Sequence, residues 1–232
     1  MNDSIAARLQ AVRARIAEAC VRASRDPSDV TLVAVSKMHD TSAVRAAYEA
    51  GQRIFGENYV RELRDKAHAL EDLSGLRFHF IGHLQRNKVK DVIDVASCIE
   101  TVDSVRLVEA VSQRATARGV SIDVMVQVNV AGETQKAGCA PEELDSVLDV
   151  VRDSPVLRLS GLMTIPPGDP DPERSRPHFR ALRALAEARG IHGLSMGMSA
   201  DLEVAIEEGA TLVRVGTAIF GARTTNGPEC AS

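Results

Sequence analysis

The chain has 232 residues, 44% of them hydrophobic and 26% charged, and its formal net charge is −4. These values are typical of a soluble globular protein, and the negative balance gives no overall basic surface for nucleic acid. Two Tyr, five Phe and no Trp are too few for a base-stacking surface, so the core must consist of Val, Leu, Ile and Ala.

The ends of the chain and its cysteines bound the compartment. Early arginines interrupt any apolar signal core, and no stretch approaches the roughly 18 apolar residues of a membrane span. The four cysteines form no CxxC pair and no His stands at metal-ligand spacing, which indicates free thiols and no metal site. We therefore expect a cytoplasmic protein with no membrane partner.

Helical spacing of apolar residues predicts a first amphipathic helix over roughly residues 3–24, and a β–α rhythm follows it. The predicted strands cover residues 31–36, 53–57, 77–82, 97–102, 122–130, 157–165, 193–196 and 211–216. The predicted helices between them cover residues 41–51, 58–70, 85–92, 104–118, 141–153, 172–190 and 200–209.

Strict alternation of strand and helix predicts parallel strands with right-handed crossovers. Eight such units in this length predict an α/β fold, a single (β/α)8 TIM barrel with an extra N-terminal helix. We assign residues 1–223 to this one domain and expect residues 224–232 to form a loose tail. A doubly wound open sheet is the alternative architecture.

Lys37 ends the apolar run TLVAVSK, whereas the other four lysines lie in charged or polar stretches. An amine at the end of a buried strand loses hydration, which lowers its pKa and favours the neutral form. A neutral, positioned amine can attack a carbonyl and form a Schiff base. The alternative is a lysine whose head extends from the strand end into water.

Arg214 lies in the last predicted strand, where alternation puts it on one face with Leu212 and Gly216. A buried guanidinium needs an acceptor, because an unpaired buried charge is costly. Arg214 therefore either donates to a ligand or pairs with a structural carboxylate such as Glu57 or Glu100.

Two turns of small residues follow the last two strands, one over residues 195–201 and one over residues 215–221. In a barrel, loops at these places form the usual phosphate site, where glycines let backbone N–H groups approach the oxygens. Gly216, Thr217 and Ser199 are the candidate phosphate ligands, with Ser199 also expected to cap the 200–209 helix. The alternative is a plain cap and two tight turns, and an inward Asp201 would repel phosphate.

An amine, a guanidinium and a phosphate cradle thus converge on one rim of the predicted barrel. Pyridoxal 5′-phosphate carries an aldehyde, a ring nitrogen and a phosphate, and so satisfies all three. The sequence predicts this cofactor, with its aldehyde on Lys37 and its ring nitrogen facing Arg214.

The chain resembles the pyridoxal phosphate homeostasis (YggS/PROSC) family nearly end to end. The strings that carry the resemblance are VAVSK, AGQRIFGENYVREL, FHFIGHLQRNK, QVNVAGETQKAGC, GLMTIPP and LSMGMSADLEVAIEEGATLVRVGTAIFGAR. The resemblance implies a barrel of the alanine-racemase fold type, with Lys37 as the Schiff-base lysine and Arg214 at the pyridine nitrogen. It also implies that Ser199, Gly216 and Thr217 hold the phosphate.

The same resemblance implies that Asn58 in GENY and Met163 in GLMT line the pocket, and Ser195 opens the loop after the seventh strand. The chain departs from the family pattern at Phe78, where Trp is common. It also has Met-His-Asp after Lys37, where the family often has another lysine and a proline. Lys136 matches a family lysine whose role the sequence does not define.

An arginine opposite the ring nitrogen disfavours protonation, which makes the ring a poorer electron sink. The sequence also shows no second domain and only Tyr48 and Tyr59 as candidate opposing acids. We therefore expect a cofactor carrier rather than an enzyme. The resemblance implies a role in intracellular vitamin B6 and amino-acid homeostasis, and we expect a monomer or weak homodimer that passes the cofactor to dependent apoenzymes.

Two other functions stay open at this point. One is an amino-acid racemase that uses Lys37 with pyridoxal phosphate, and the other is an aldolase that uses Lys37 directly on a phosphorylated sugar. A weaker third hypothesis is a protein-interaction module based on the basic segment 83–90, which more simply forms a solvated helix face.

Overall fold

Eight parallel strands form a closed barrel in chain order, and the eighth strand pairs with the first. The structure, a computed structural model, describes residues 4–133 and 137–222. The strands are β1 (Thr31–Val35), β2 (Ile54–Glu57), β3 (Arg77–Phe80), β4 (Cys98–Val102), β5 (Ile122–Gln127), β6 (Leu157–Met163), β7 (Leu194–Ser195) and β8 (Leu212–Val215). This arrangement confirms the predicted TIM barrel, because an open doubly wound sheet would leave β1 and β8 unpaired.

Helices surround the barrel and begin and end close to the predicted positions. They are α1 (Ile5–Arg22), α2 (Thr41–Glu49), α3 (Val60–Ala69), α4 (Val89–Val92), α5 (Val105–Arg118), α6 (Leu144–Asp153), α7 (Arg176–Glu187), α8 (Leu202–Glu207) and α9 (Thr217–Phe220). Ser4 and Asp40 cap α1 and α2, each accepting a backbone N–H in the first turn.

The fifth strand is shorter than predicted. It ends at Gln127 rather than at residue 130, because the chain turns back at Gly132 and Cys139 then pairs beside Val128. The Cys139 N–H donates to the Gln127 carbonyl at 2.9 Å, so these backbone groups bond to the returning chain.

Side chains alternate between the barrel interior and the outer layer, as predicted for the last strand. Val213 and Val215 pack with the helices in the main hydrophobic core, whereas Leu212 packs with a small interior cluster. That cluster contains Cys98, Met125 and Met163. Arg214 shares the face of Leu212 and therefore points into the barrel.

The remaining sequence predictions on the chain as a whole have different outcomes. Cys20, Cys98 and Cys139 are free buried thiols. Across the described segments, we find no helix with the length and hydropathy that crossing a bilayer requires. Lys136, Cys230 and the predicted tail at 224–232 lie outside the described residues.

Candidate functional site

Lys37 lies two residues past the end of β1, half-buried in a turn at the carboxyl end of the barrel. Arg214 is on the adjoining strand, with its Cα paired to Val33. Gly216 follows on the same strand, and a methyl group placed on it would come within 3.2 Å of the Val35 carbonyl oxygen. The closed barrel thus brings Lys37, Arg214 and Gly216 together from opposite ends of the chain.

The turn that holds Lys37 is strained. Met38 has φ of 62°, in the left-handed region that a side chain other than glycine rarely adopts, at a cost of about 1–3 kcal/mol. Its backbone N–H donates to Glu62 Oε2 at 2.7 Å, and the His39 N–H donates to the Ser36 carbonyl at 3.1 Å. These bonds fix the chain immediately after Lys37.

Arg214 is 3% exposed and donates to protein groups inside the barrel. Its Nη1 bonds to Ser195 Oγ, and its Nη2 bonds to the Thr164 carbonyl at 2.9 Å. Ser195 in turn donates to Glu100 Oε2 at 2.6 Å, and His79 Nδ1 lies 2.6 Å from Glu100 Oε1. Glu100 therefore acts on Arg214 through Ser195, and Glu57, the other carboxylate considered, bonds elsewhere.

Charge neutralisation sets the titration of this interior network. Burial alone raises the pKa of Glu100, but the hydrogen bond and charge of His79, together with Arg214, lower it overall. Burial lowers the pKa of Arg214, while Glu100 and Asp201 act in the opposite direction. The network keeps an anionic Glu100 beside a cationic Arg214.

Glu100→Gln is expected to lower the free energy of unfolding by about 3 kcal/mol at pH 7, because it leaves buried charge without its counter-ion. The folded-state pKa of Glu100 lies below its ordinary 4.5, so its stabilisation is complete above that pH and is lost as the pH falls below it. The difference between wild type and variant should therefore shrink on acidification. Urea unfolding from pH 7 down to 3 measures it.

The matched control is Glu109→Gln, which changes an exposed glutamate on α5. It should shift stability by less than about 0.5 kcal/mol at every pH. A Glu100→Gln difference that stays constant across this range would contradict the assigned role of the charge.

A second buried ion pair lies behind the rim and was missed by sequence reasoning. Lys66 is 4% exposed, and its Nζ donates to Glu57 Oε1 at 2.7 Å, to Glu62 Oε2 at 2.9 Å and to the Ser36 carbonyl at 2.7 Å. All three ammonium protons are therefore used, so Lys66 is a fixed cation rather than a nucleophile. Burial raises the pKa of Glu57, although Lys66 and Ser36 lower it.

Lys66 could have been found from its spacing on α3. Leu63 and Lys66 both lie on the buried face of that helix, whereas the charged character of the segment suggested a solvated side chain. The bond from Lys66 to the carbonyl of Ser36 ties α3 to the residue before Lys37. The pair thus supports the position of the predicted nucleophile.

Asn58 and Met163 line different parts of the interior. Asn58 directly follows β2, and its Oδ1 is a buried acceptor with no hydrogen-bond partner among the described residues. Glu57 Oε2 is a second such atom. Met163 is fully buried in the interior cluster at the end of β6. Orphaned buried acceptors beside Lys37 fit a site that takes a polar ligand.

The loop after β7 is built around Gly197 and Asp201. Gly197 has φ of +91°, and a methyl group on it would come within 2.4 Å of the Ala205 Cβ, so only glycine fits. The Gly197 carbonyl accepts from the Arg214 N–H at 2.9 Å, which ties this loop to β8. Both Asp201 oxygens accept hydrogen bonds, one from Met198 N–H and one from the Ser175 hydroxyl.

The prediction that Ser199 caps the 200–209 helix is wrong. The capping residue is Asp201, because the turn closed by its carboxylate delays the helix until Leu202. Ser199 is half-buried, and its carbonyl accepts from Arg15 Nη2 at 3.0 Å. Its hydroxyl is therefore not committed to capping that helix.

The loop after β8 is a short helix rather than a plain turn. Gly216 precedes α9, and Thr217 is the first residue of this helix and is exposed. Arg8 Nε donates to the Ile219 carbonyl at 2.7 Å, so α1 supports this loop as Arg15 supports the previous one. The added N-terminal helix thus fastens both predicted phosphate loops.

The two tyrosines lie in different environments. The Tyr48 hydroxyl donates to the Ser74 carbonyl at 2.8 Å, and its ring stacks under Arg53. Tyr59 is 40% exposed at the start of α3, directly after Asn58. Tyr48 is therefore committed to structure.

A (β/α)8 barrel with a lysine at the end of β1 and glycine loops after β7 and β8 defines a barrel of the alanine-racemase class. In agreement, residues 7–224 match the family described as "Alanine racemase, N-terminal domain". A pyridoxal phosphate homeostasis protein of Pseudomonas aeruginosa is 46% identical over 230 residues, 97% of this chain and 99% of that protein. Its Escherichia coli counterpart is 42% identical, over 96% and 98% of the two chains.

Among solved structures, PipY of Synechococcus elongatus with pyridoxal phosphate bound superposes with a TM-score of 0.82. It is 36% identical in sequence, and the match covers 94% of this chain and all of PipY. The chain belongs to the pyridoxal phosphate homeostasis protein family. This confirms the resemblance found in the sequence.

Proposed function

We propose that this chain binds pyridoxal 5′-phosphate covalently on Lys37 and serves intracellular vitamin B6 and amino-acid homeostasis as a carrier. The observation that carries the proposal is the meeting of Lys37, Arg214 and Gly216 at one rim of the barrel. The family membership and the cofactor bound by the similar PipY structure support it.

The residues present fit the cofactor. The amine of Lys37 would condense with the aldehyde and release water, while Gly216, Thr217 and Ser199 would face the phosphate. Asn58 Oδ1, a buried acceptor without a partner among the described residues, fits a ligand that bears a hydroxyl group. Met163 and Ser195 would contribute to the inner wall and to the network that holds Arg214.

Arg214 argues for carriage rather than catalysis. A guanidinium kept charged by Glu100 through Ser195 would donate to the ring nitrogen and hold it unprotonated. An unprotonated pyridine is a weaker electron sink, which disfavours carbanion chemistry on an amino acid. Exchange of the α-proton of alanine or serine at enzyme-like rates would instead support the racemase alternative.

Partners and location follow from the carrier role. A carrier needs recipients, and apoenzymes that use pyridoxal phosphate are the chemically matched class. We also keep the predictions of a cytoplasmic location and of a monomer or weak homodimer. The aldolase alternative predicts a colourless protein that is trapped on an aldehyde substrate without any cofactor.

The test is to load the protein with pyridoxal phosphate, reduce it with borohydride and map the labelled peptide by mass spectrometry. We expect one stable adduct, on Lys37. Label on Lys66, Lys88 or Lys90 would overturn the site, and no label after loading would overturn the function.

A further inference from the structure

Three arginines surround a cavity of about 370 Å³ at the end of the barrel opposite Lys37. Its lining includes Leu32 near the start of β1, and Ile54 and Arg77 at the starts of β2 and β3. These are the amino ends of the strands, whereas Lys37 follows the carboxyl end of β1. The cavity is therefore separate from the proposed cofactor site.

The cavity is built on a buried polar side chain. Gln52 is 4% exposed, and its Nε2 donates to the carbonyls of Leu32 at 2.7 Å and Ile54 at 2.8 Å. This fixes Gln52 Oε1 toward Arg13 Nη2 at 3.4 Å, while Arg13 Nη1 donates to the Ala50 carbonyl. We call Arg13, Gln52, Arg53 and Arg77 the arginine cavity.

The positive charge of the arginine cavity is not neutralised by protein groups. Within the described segments, Arg13, Arg53 and Arg77 form no ion pair with a carboxylate, and no acidic residue is among the lining. Arg53 instead stacks over the Tyr48 ring and donates to backbone carbonyls, and Arg77 is exposed. Elsewhere on the surface, Arg176 contacts three glutamates.

Converging like charges repel one another, and a bound anion would relieve that repulsion. Guanidinium groups match the oxygens of phosphate, which accepts paired N–H bonds and carries up to two negative charges. The remaining lining is largely apolar and includes Ile16, Val30, Leu32 and Ile54. The volume lies in the range of small-molecule sites, about 300–1,000 Å³.

We propose that the arginine cavity binds a small organic phosphate, with its phosphate on the guanidinium groups and its carbon body against the apolar wall. A carboxylate of the same size brings only one charge to three cations and should bind more weakly. The site is independent of Lys37 and does not require the proposed function.

Calorimetric titration with phenyl phosphate tests the proposal, with benzoate as a probe that has the same ring but a carboxylate. Wild type should bind phenyl phosphate more tightly than benzoate. Arg77→Gln should weaken that binding at least about tenfold, because it removes one charged donor. Arg77 makes no hydrogen bond that the fold needs, and Arg53→Gln provides a second variant.

Arg106→Gln is the matched control, since it removes one exposed arginine charge on α5, outside the cavity lining. It should leave the affinity within about twofold. No phenyl phosphate binding, equal or tighter binding of benzoate, or unchanged affinity in both cavity variants would overturn the proposal. A purely structural role of these arginines would lower the melting temperature without changing the affinity.

Discussion

Lys37→Ala is expected to abolish covalent retention of pyridoxal phosphate, so that borohydride reduction leaves no label and the visible absorption of the loaded protein disappears. Lys66 should not substitute, because Ser36, Glu57 and Glu62 use all three of its ammonium protons. Absorption spectra and intact mass after reduction, gel filtration and repeated loading measure the result.

Two control variants separate the lost nucleophile from other effects. Lys37→Arg retains the positive charge but cannot condense with an aldehyde, so it should behave as Lys37→Ala does. Lys88→Ala removes an exposed lysine and should retain full labelling. Wild-type colour and stoichiometric label in Lys37→Ala would remove the central assignment.

Lys66→Met is expected to cost about 3–5 kcal/mol of unfolding free energy, because it leaves Glu57 buried without its cation. The same change frees the Ser36 carbonyl next to Lys37, so cofactor affinity should also fall. Urea unfolding of the apoprotein measures the first effect, and spectroscopic titration with pyridoxal phosphate measures the second.

The double variant Glu57→Gln with Lys66→Met should recover part of the lost stability, since it removes both buried charges. Lys88→Met, at an exposed lysine, should change stability by less than about 0.5 kcal/mol. A loss below about 1 kcal/mol in Lys66→Met would show that the buried pair contributes little.

Much of the barrel could be predicted because its signals are local. The apolar run before Lys37 and the alternation around Arg214 each lie within a few residues, and both predictions of the strands agree with the structure. Loop detail was less predictable. Ser199 was expected to cap α8, but the carboxylate of Asp201 closes the preceding turn and takes that position.

The sequence by itself determined the eight-unit barrel, its family, and the rim where Lys37 and Arg214 would meet, since strand and helix periods and short motifs are written in neighbouring residues. Only the tertiary structure decided which carboxylate serves which cation, with Glu57 on Lys66 and Glu100 reaching Arg214 through Ser195. Such pairings depend on which side chains share one dry space after the barrel closes, and residues 95 positions apart carry no local sign of it.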